Sequence, residues 1–357
     1  MAFEHPDFSQ HEHVQFCSDR ATGLHAIIAI HNTNLGPAAG GCRMCPYGSM
    51  DEALADALRL SRAMTYKNAI AGLHLGGGKS VIIGDPKTDK TPELLRAFGR
   101  QVERLGGYYF TAEDVGIGED DIRHVASSTS YAIGTPLGQE GVGDPSPYTA
   151  DGVFKCMERA VFRAFGSDDL VGRTAAIQGL GSVGWRLGEL YHKAGFKIVV
   201  ADVDHVKVRR AAELWNAEVE TPDRIHAAKV DIFSPCALGG AIHEGNVGNI
   251  SARIVVGAAN NQLDHEQRAA DLMNAGIVYV PDFVANGGGI IHVASEVVDG
   301  THEWVIDSID KLADTADRIL EEAARTRRTT VDIANQIAES RFQSTSCCLT
   351  QPQKLSA

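Results

Sequence analysis

Hydrophobic positions fall into two regimes along the chain. In the front third, short apolar runs alternate with helical spacings. The run LHAIIAI (24–30) is apolar and β-branched, which predicts a strand. Ser49 and Glu52 frame a capping box, with Leu54, Ala57 and Leu58 following at helical spacing, so a helix is expected from there to about Met64. SVII (80–83) predicts a short buried strand. Thr91 before Pro92 marks the start of a helix that Gly106 closes. YYFTA (108–112) predicts a strand ending just before Glu113 and Asp114.

The stretch GTPLGQEGVGDPSP (134–147) breaks regular structure and suits a hinge. Beyond it the pattern becomes strand, helix, strand: TAAIQ (174–178), KIVVA (197–201), DIFSP (231–235), RIVVGAA (253–259) and IVYVPD (277–282) are strand-like, with helical stretches between most of them. Such alternation predicts a parallel sheet covered by helices on both faces. The tail from Thr301 is helical in pattern. The expected fold is α/β in two domains separated by a cleft: a mixed α/β sheet domain over 1–134 and a Rossmann-type, doubly wound parallel sheet over 135–330. A helical tail, 331–357, is expected to pack back on the first domain.

Composition narrows the function classes. A length of 357 residues suits two ordinary cores. The formal net charge of −13 disfavours nucleic acid and anionic membranes as partners. There is no long apolar run and no basic-then-apolar leader at the N-terminus, so a soluble cytoplasmic protein is expected. The seven cysteines are odd in number and scattered, unlike a disulfide framework. Cys42 and Cys45 form a C-x-x-C, but no second pair completes a zinc site. The histidines form no evident metal cluster, and no metal is expected.

One motif points to a nucleotide. TAAIQ runs directly into Gly179, Gly181 and Gly184, a G-x-G-x-x-G at a strand-to-helix junction, and the next strand ends in Asp202. Gly179 would permit the tight turn, Gly181 would let the backbone approach a pyrophosphate, and Gly184 would allow close packing. The free N–H groups of the following helix would meet the phosphates. Asp202 would accept hydrogen bonds from the adenosine ribose. Its carboxylate favours NAD over NADP, although Lys207, Arg209 and Arg210 lie close downstream.

The front domain carries a second constellation. Gly40, Gly41, Cys42, Arg43 and Met44 are contiguous, Lys67 follows the first predicted helix, and Gly76, Gly77, Gly78 and Lys79 precede a predicted strand. Asp114 follows YYFTA. GGGK here is not a P-loop, because it leads into a strand and lacks the earlier glycine. Two lysines and an aspartate at segment ends can converge on a cleft.

The motifs PAAGGCRM (37–44), MTYKNA (64–69), LGGGKSVIIGDP (75–86), TAEDVG (111–116), PSPYTADGV (145–153), GLGSVG (179–184), PCALGG (235–240), GAANNQL (257–263) and DFVANGGGII (282–291) span nearly the whole chain. In this order they resemble the glutamate/leucine/phenylalanine/valine dehydrogenase superfamily, and most closely its leucine–phenylalanine–valine branch. The resemblance implies NAD-dependent oxidative deamination of an L-amino acid to its 2-oxo acid plus ammonia, and the reverse reaction. It makes the first domain the substrate-binding, catalytic and oligomerising one, and the protein a homo-oligomer, dimer or higher.

It also implies roles. Lys67 would hold the substrate carboxylate. Lys79 would activate the attacking water, partly neutral beside a neighbouring cation in a dry cleft. Asp114 would exchange protons with the amino group. Gly40 and Gly41 would line the substrate site through backbone groups. Asn260 and Asn261 would touch substrate and nicotinamide, in either assignment. Cofactor contacts would come from Leu180, Ser182, Val183 and Ala237 as well as the three glycines, and from Thr149, which equally suits the cap of a helix beginning near Ala150. By family position, Ala39, Met64, Ala112, Ile290 and Val293 would line an apolar side-chain pocket, where an unpaired carboxylate would be costly. Glutamate-using relatives tend to carry a lysine at the position of Ala39. Leucine-type, phenylalanine and tryptophan substrates remain open, leaning to a bulky or aromatic one. The alternatives are a glutamate-type dehydrogenase or a catalytically silent NAD-binding paralogue. TAEDVGIG departs from relatives just after the aspartate, which puts that loop's geometry in question.

Overall fold

The structure, a computed structural model, describes residues 2–135 and 142–343. They divide into two units. The first takes in the described residues of Met1–Pro145, Ile291–Val305 and Ala338–Ala357; the second takes in Ser146–Ile290 and Ile306–Ile337.

The first unit is built on strands β1 (His13–Asp19), β2 (Leu24–Asn32), β3 (Ala38–Cys45), β4 (Gly76–Ile83) and β5 (Tyr109–Ala112), in the spatial order β1-β2-β4-β3-β5. β2 runs antiparallel to β1 and β4, whereas β3 is parallel to β4 and β5. Helices α1 (Met50–Ile70), α2 (Pro92–Glu103) and α3 (Glu119–Ala126) cover it. The continuous apolar run of β2 has a direct cause: both its faces are buried. Leu24, Ala26, Ile28 and Ile30 share a core with Leu94, Leu95, Phe98 and Val102 of α2. Ile27 and Ala29, on the other face, meet Ala53, Leu54, Ala57 and Leu58 of α1. At the start of α1, Ser49 Oγ accepts the Glu52 N–H, while Glu52 reaches back to Gly48 N rather than to the cap itself.

Two boundaries differ from the expectation. α1 continues to Ile70, so Lys67 stands in its last turn rather than after the helix. β4 begins at Gly76, so Lys79 lies inside a strand and not before one. The reason is close packing. A Cβ on Gly77 would stand 2.1 Å from Thr65 Oγ1 and 2.6 Å from the Ser61 carbonyl oxygen, so only glycine lets α1 lie directly on this strand.

The second unit opens with α4 (Ser146–Phe165), which begins before Thr149 and thus makes that residue part of the first turn rather than a cap. Then come β6 (Thr174–Gln178), α5 (Ser182–Lys193), β7 (Lys197–Ala201), α6 (His205–Trp215), β8 (Glu218–Val219), β9 (Ile232–Pro235), β10 (Ile254–Val255), α7 (Gln267–Asn274), β11 (Val278–Tyr279), α8 (Asp282–Ala285), α9 (Gly288–Val298), α10 (His302–Thr326) and α11 (Thr330–Gln343). The first three residues of α9 belong to this unit and the rest to the first; α11 passes to the first unit at Ala338. The sheet order is β11-β10-β9-β6-β7-β8, and every pair is parallel. β6 connects to β7 on one side and has β9 on the other, which makes its C-terminal end the switch point where such sheets bind ligands. α4 and α10 are linked by Lys155–Asp310, Arg159–Asp314 and Arg163–Asp317 pairs, one turn apart on each helix. Among the described residues no helix is long and apolar enough to cross a membrane.

Candidate active site

The centre of the first unit's chemistry is a buried ion pair. Lys79 is only 6% exposed, and an ammonium that deep needs a partner. It finds one in Asp114 Oδ2, 2.5 Å from its Nζ. The same oxygen accepts from Arg43 Nε at 3.3 Å. Burial alone would push the Asp114 carboxyl up. The charges of Lys79 and then Arg43 outweigh it and hold the group below its ordinary value, so Asp114 is a carboxylate here. The sequence asked for a cation beside Lys79; Arg43 shares with Lys79 the same Asp114 oxygen, and that carboxylate is the direct partner of both.

The glycine pair on β3 explains how these groups come together. A Cβ on Gly40 would stand 1.9 Å from the Gly78 carbonyl oxygen and 3.1 Å from Met64 Cγ; one on Gly41 would meet the Glu113 carbonyl oxygen at 2.3 Å and Asp114 Cβ at 2.9 Å. The pair is thus flanked by Met64 and by Asp114, and neither position has room for a side chain. The Gly40 carbonyl accepts from buried Tyr109 Oη at 2.6 Å. After Asp114 the chain closes a tight turn, with Ile117 N donating to Asp114 O at 2.8 Å. Gly116 holds φ +82° there, where a Cβ would meet the Met44 carbonyl oxygen.

Lys67 is half-buried on α1, three residues after Met64 and on the same face. Ala39 is fully buried, and Ala112 and Val293 are 9% and 7% exposed. Val293 lies by Gly134, 3.6 Å from where its Cβ would be. The neighbouring Asn68 is wholly buried and donates to the Gly76 carbonyl at 2.6 Å. Cys42 and Cys45 stand three apart on one strand, which sends their side chains to opposite faces. Burial pushes the Cys42 thiol up to about 12, and no cluster able to hold a metal exists among the described residues.

Sequence reasoning missed Arg43, Asp56 and Tyr47. Arg43 Nη1 donates to Asp56 Oδ2 at 2.9 Å, and Tyr47 Oη donates to the same oxygen at 2.6 Å. Arg43 sits inside a quoted motif, but its partners come from α1 and a loop, so no local signal announces them.

In the second unit, the glycine loop follows β6 directly. Gly179 has φ +99°, and a Cβ there would stand 2.8–2.9 Å from Ala237. A Cβ on Gly184 would meet the Gly179 carbonyl oxygen at 2.0 Å. Gly181 differs: its backbone is ordinary (φ −68°, ψ −170°), nothing lies within 4 Å of its Cβ position, and it caps α5 without a side-chain hydrogen bond. No protein atom explains a glycine there. Space left open before an uncapped helix start fits a pyrophosphate group. Leu180 is buried, Val183 half-buried and Ser182 exposed. Asp202 Oδ2 accepts from Leu180 N at 2.5 Å and Oδ1 from Asp204 N at 2.8 Å, so it braces the loop. Arg210 lies with its guanidinium 4.8 Å from the Trp185 ring centroid.

Asn260 Oδ1 accepts from Asn286 Nδ2 at 2.9 Å; Asn286, which the sequence left unassigned, is buried and also donates to the Ala258 carbonyl. Asn261 is in the left-handed region (φ 51°), and its carbonyl accepts from Gly240 N. Its backbone serves a turn. Gly288 lies where a Cβ would be 2.0 Å from the Tyr148 carbonyl oxygen, bringing the start of α9 onto the turn of α4 that carries Thr149. Ile290 follows on α9, half-buried.

Residues 9–131 match the sequence model described as the Glu/Leu/Phe/Val dehydrogenase dimerisation domain, and residues 199–345 the one described as Glutamate/Leucine/Phenylalanine/Valine dehydrogenase. The glycine loop falls between the two matches. Leucine dehydrogenase of Geobacillus stearothermophilus is 44% identical over 341 residues, which is 96% of this chain and 93% of that protein. Phenylalanine dehydrogenase of Bacillus thermotolerans is 42% identical over 340 residues, 94% of this chain and 89% of that protein. The crystal structure of L-tryptophan dehydrogenase from Nostoc punctiforme superposes with a TM-score of 0.83 at 41% identity, covering 94% of this chain and 96% of that one.

Proposed function

We propose, for a chain that belongs to the Glu/Leu/Phe/Val dehydrogenase family, that it is an NAD-dependent amino acid dehydrogenase oxidising an apolar L-amino acid to its 2-oxo acid and ammonia, and running the reverse reductive amination. The observation that carries this reading is the buried Lys79–Asp114 pair. It sets a proton donor and a proton acceptor in direct contact. Lys67 binds the substrate carboxylate. A nicotinamide held by the glycine loop would supply the hydride acceptor for Cα, and the residues here would then act on the substrate's iminium. Lys79 then orients a water toward that carbon. For Lys79 to take the water's proton it must pass on one of its own, and the carboxylate of Asp114 is in position to receive it. The water oxygen bonds to the carbon to give a carbinolamine, Asp114 hands the proton to its nitrogen, and the C–N bond breaks as the hydroxyl proton passes to the Lys79–Asp114 pair, releasing ammonia and the 2-oxo acid.

The cofactor reading rests on Gly179, Gly181, Gly184 and Asp202. NAD rather than NADP is favoured because a carboxylate at 202 repels a 2′-phosphate and Arg210 is engaged on Trp185. Asn260, with its amide fixed by Asn286, suits a substrate or nicotinamide contact better than Asn261. Ala39, Met64, Ala112, Ile290 and Val293 supply no charge for a second carboxylate, which supports an apolar side chain. The free thiols of Cys17, Cys42, Cys45, Cys156 and Cys236 suit a cytoplasmic enzyme, and the dimerisation domain matched by residues 9–131 supports a homo-oligomer. The test is a panel of L-amino acids assayed for initial rate with NAD and with NADP. Leucine, phenylalanine or tryptophan with NAD should lead. A rate with glutamate far above all three overturns the substrate assignment.

A further inference from the structure

Asp114 is not held by Lys79 alone. Register places Arg43 of β3 opposite Val81 of β4, and Lys79 is two residues before Val81. Side chains two apart on a strand share a face. Val81 packs with Ala53, Leu54, Ala57 and Leu58, so Arg43 and Lys79 emerge on the side covered by α1. Asp56 waits there on α1. The result is a continuous line: Tyr47 Oη to Asp56 at 2.6 Å, Arg43 Nη1 to Asp56 at 2.9 Å, Arg43 Nε to Asp114 at 3.3 Å, Lys79 Nζ to Asp114 at 2.5 Å. The two cations balance the two carboxylates. Asp56 with Tyr47 would satisfy one end of the guanidinium; the other end is spent on the carboxylate that exchanges protons. Both contacts to Asp114 fall on Oδ2.

Building on the dehydrogenase reading above, we infer that Arg43 is a positioning residue for Asp114: anchored by Asp56 and Tyr47, it pins the carboxylate by Oδ2 in the orientation in which it exchanges protons with the substrate's amino group. The planar fork of arginine holds its donors to two carboxylates in a fixed geometry, where lysine offers a single nitrogen on a flexible stem. The groups that bear on Asp114 are Lys79 from β4, Arg43 and Cys42 from β3, Tyr109 from β5 and the adjacent Glu113. Among these only Lys79 and Arg43 bring positive charge.

The variants Arg43→Gln, Arg43→Lys and Asp56→Asn test this. In Arg43→Gln the acid limb of the kcat/KM profile should move up by about one pH unit, a tenfold change in proton affinity, with KM for NAD unchanged. Arg43→Lys should reverse part of that shift but recover little of kcat. Asp56→Asn, which does not touch Asp114, should lower kcat several-fold. A carbon-13 titration of the Asp114 carboxyl, assigned by its loss in Asp114→Asn, reads the same proton affinity without substrate. Absence of turnover in the unmodified protein would therefore count against the dehydrogenase reading and leave this one decided by the titration. If Arg43→Gln does not fold, the lysine and Asp56 variants carry the same measurements. Carboxyl titrations that coincide with the unmodified protein in the folded Arg43 variants would overturn the inference.

Discussion

Adding one methyl group to each of two glycines in the loop after β6 should have opposite consequences. At Gly184 the new Cβ would stand 2.0 Å from the Gly179 carbonyl oxygen and 3.1 Å from Cys236 Cβ, and the first is backbone that cannot swing away. Gly184→Ala must therefore displace the loop or the helix, at a cost of about 1–3 kcal/mol in the unliganded protein. At Gly181 the methyl meets nothing within 4 Å, on a backbone any residue adopts. Alanine stiffens the unfolded chain, which stabilises by about 0.4–1 kcal/mol, and is a poorer helix cap than glycine, which costs a similar amount. The two offset, so Gly181→Ala should keep its stability to within about 1 kcal/mol. It should nonetheless weaken NAD by roughly tenfold or more, about 1.4 kcal/mol, because the methyl occupies the space a pyrophosphate requires. Urea unfolding without cofactor and titration calorimetry with NAD separate these quantities. A Gly181→Ala protein that binds NAD like the unmodified one, or that unfolds as easily as Gly184→Ala, would refute the reasoning.

Replacing Lys79 with methionine should lower kcat by about 10²–10⁴-fold while NAD titrates as before, since the residue belongs to proton transfer and not to the dinucleotide loop; an unchanged kcat would remove Lys79 from the chemistry. Stability should fall on acidification. Burial, then His11, then Arg62 push His31 down from 6.5 to about 3, and its Nδ1 meets Thr65 Oγ1 at 2.8 Å. A histidine held neutral in the fold binds its proton first in the unfolded chain. Its contribution is therefore complete above about pH 6.5 and shrinks as the pH falls toward 3, by about 2 kcal/mol at pH 5. Urea midpoints between about pH 7 and 5 should show that slope, and His31→Gln should flatten it; equal slopes would contradict the assignment.

Much of the second unit was legible because its signals are local. TAAIQ, the three glycines and Asp202 lie within 29 residues (174–202), and strand, turn and helix follow from spacing alone. The later strands were read too long: RIVVGAA pairs only over Ile254–Val255, beside a β9 that ends in Pro235, which has no N–H to give the ladder. In the first unit the difficulty was glycine. β3 and β4 carry AAGG and GGGK, compositions that propensity assigns to loops, and what makes them strands is the close approach of α1 to Gly77 and of Gly78 to Gly40. The edge strand β1 escaped notice because its alternation is weak. The Arg43 anchor was invisible for a different reason. Asp56 and Asp114 lie 13 and 71 positions from Arg43, and only the folded sheet brings them to it.

The most direct measurement is to follow the hydrogen itself. L-leucine, L-phenylalanine and L-tryptophan, each deuterated at Cα, are incubated with the purified protein and NAD, and the reduced nicotinamide and released ammonia are analysed. With at least one of them, deuterium should appear on the nicotinamide ring, with one ammonia formed per reduced cofactor. Reduced nicotinamide without the label, or no reduction with any of the three, would contradict the account.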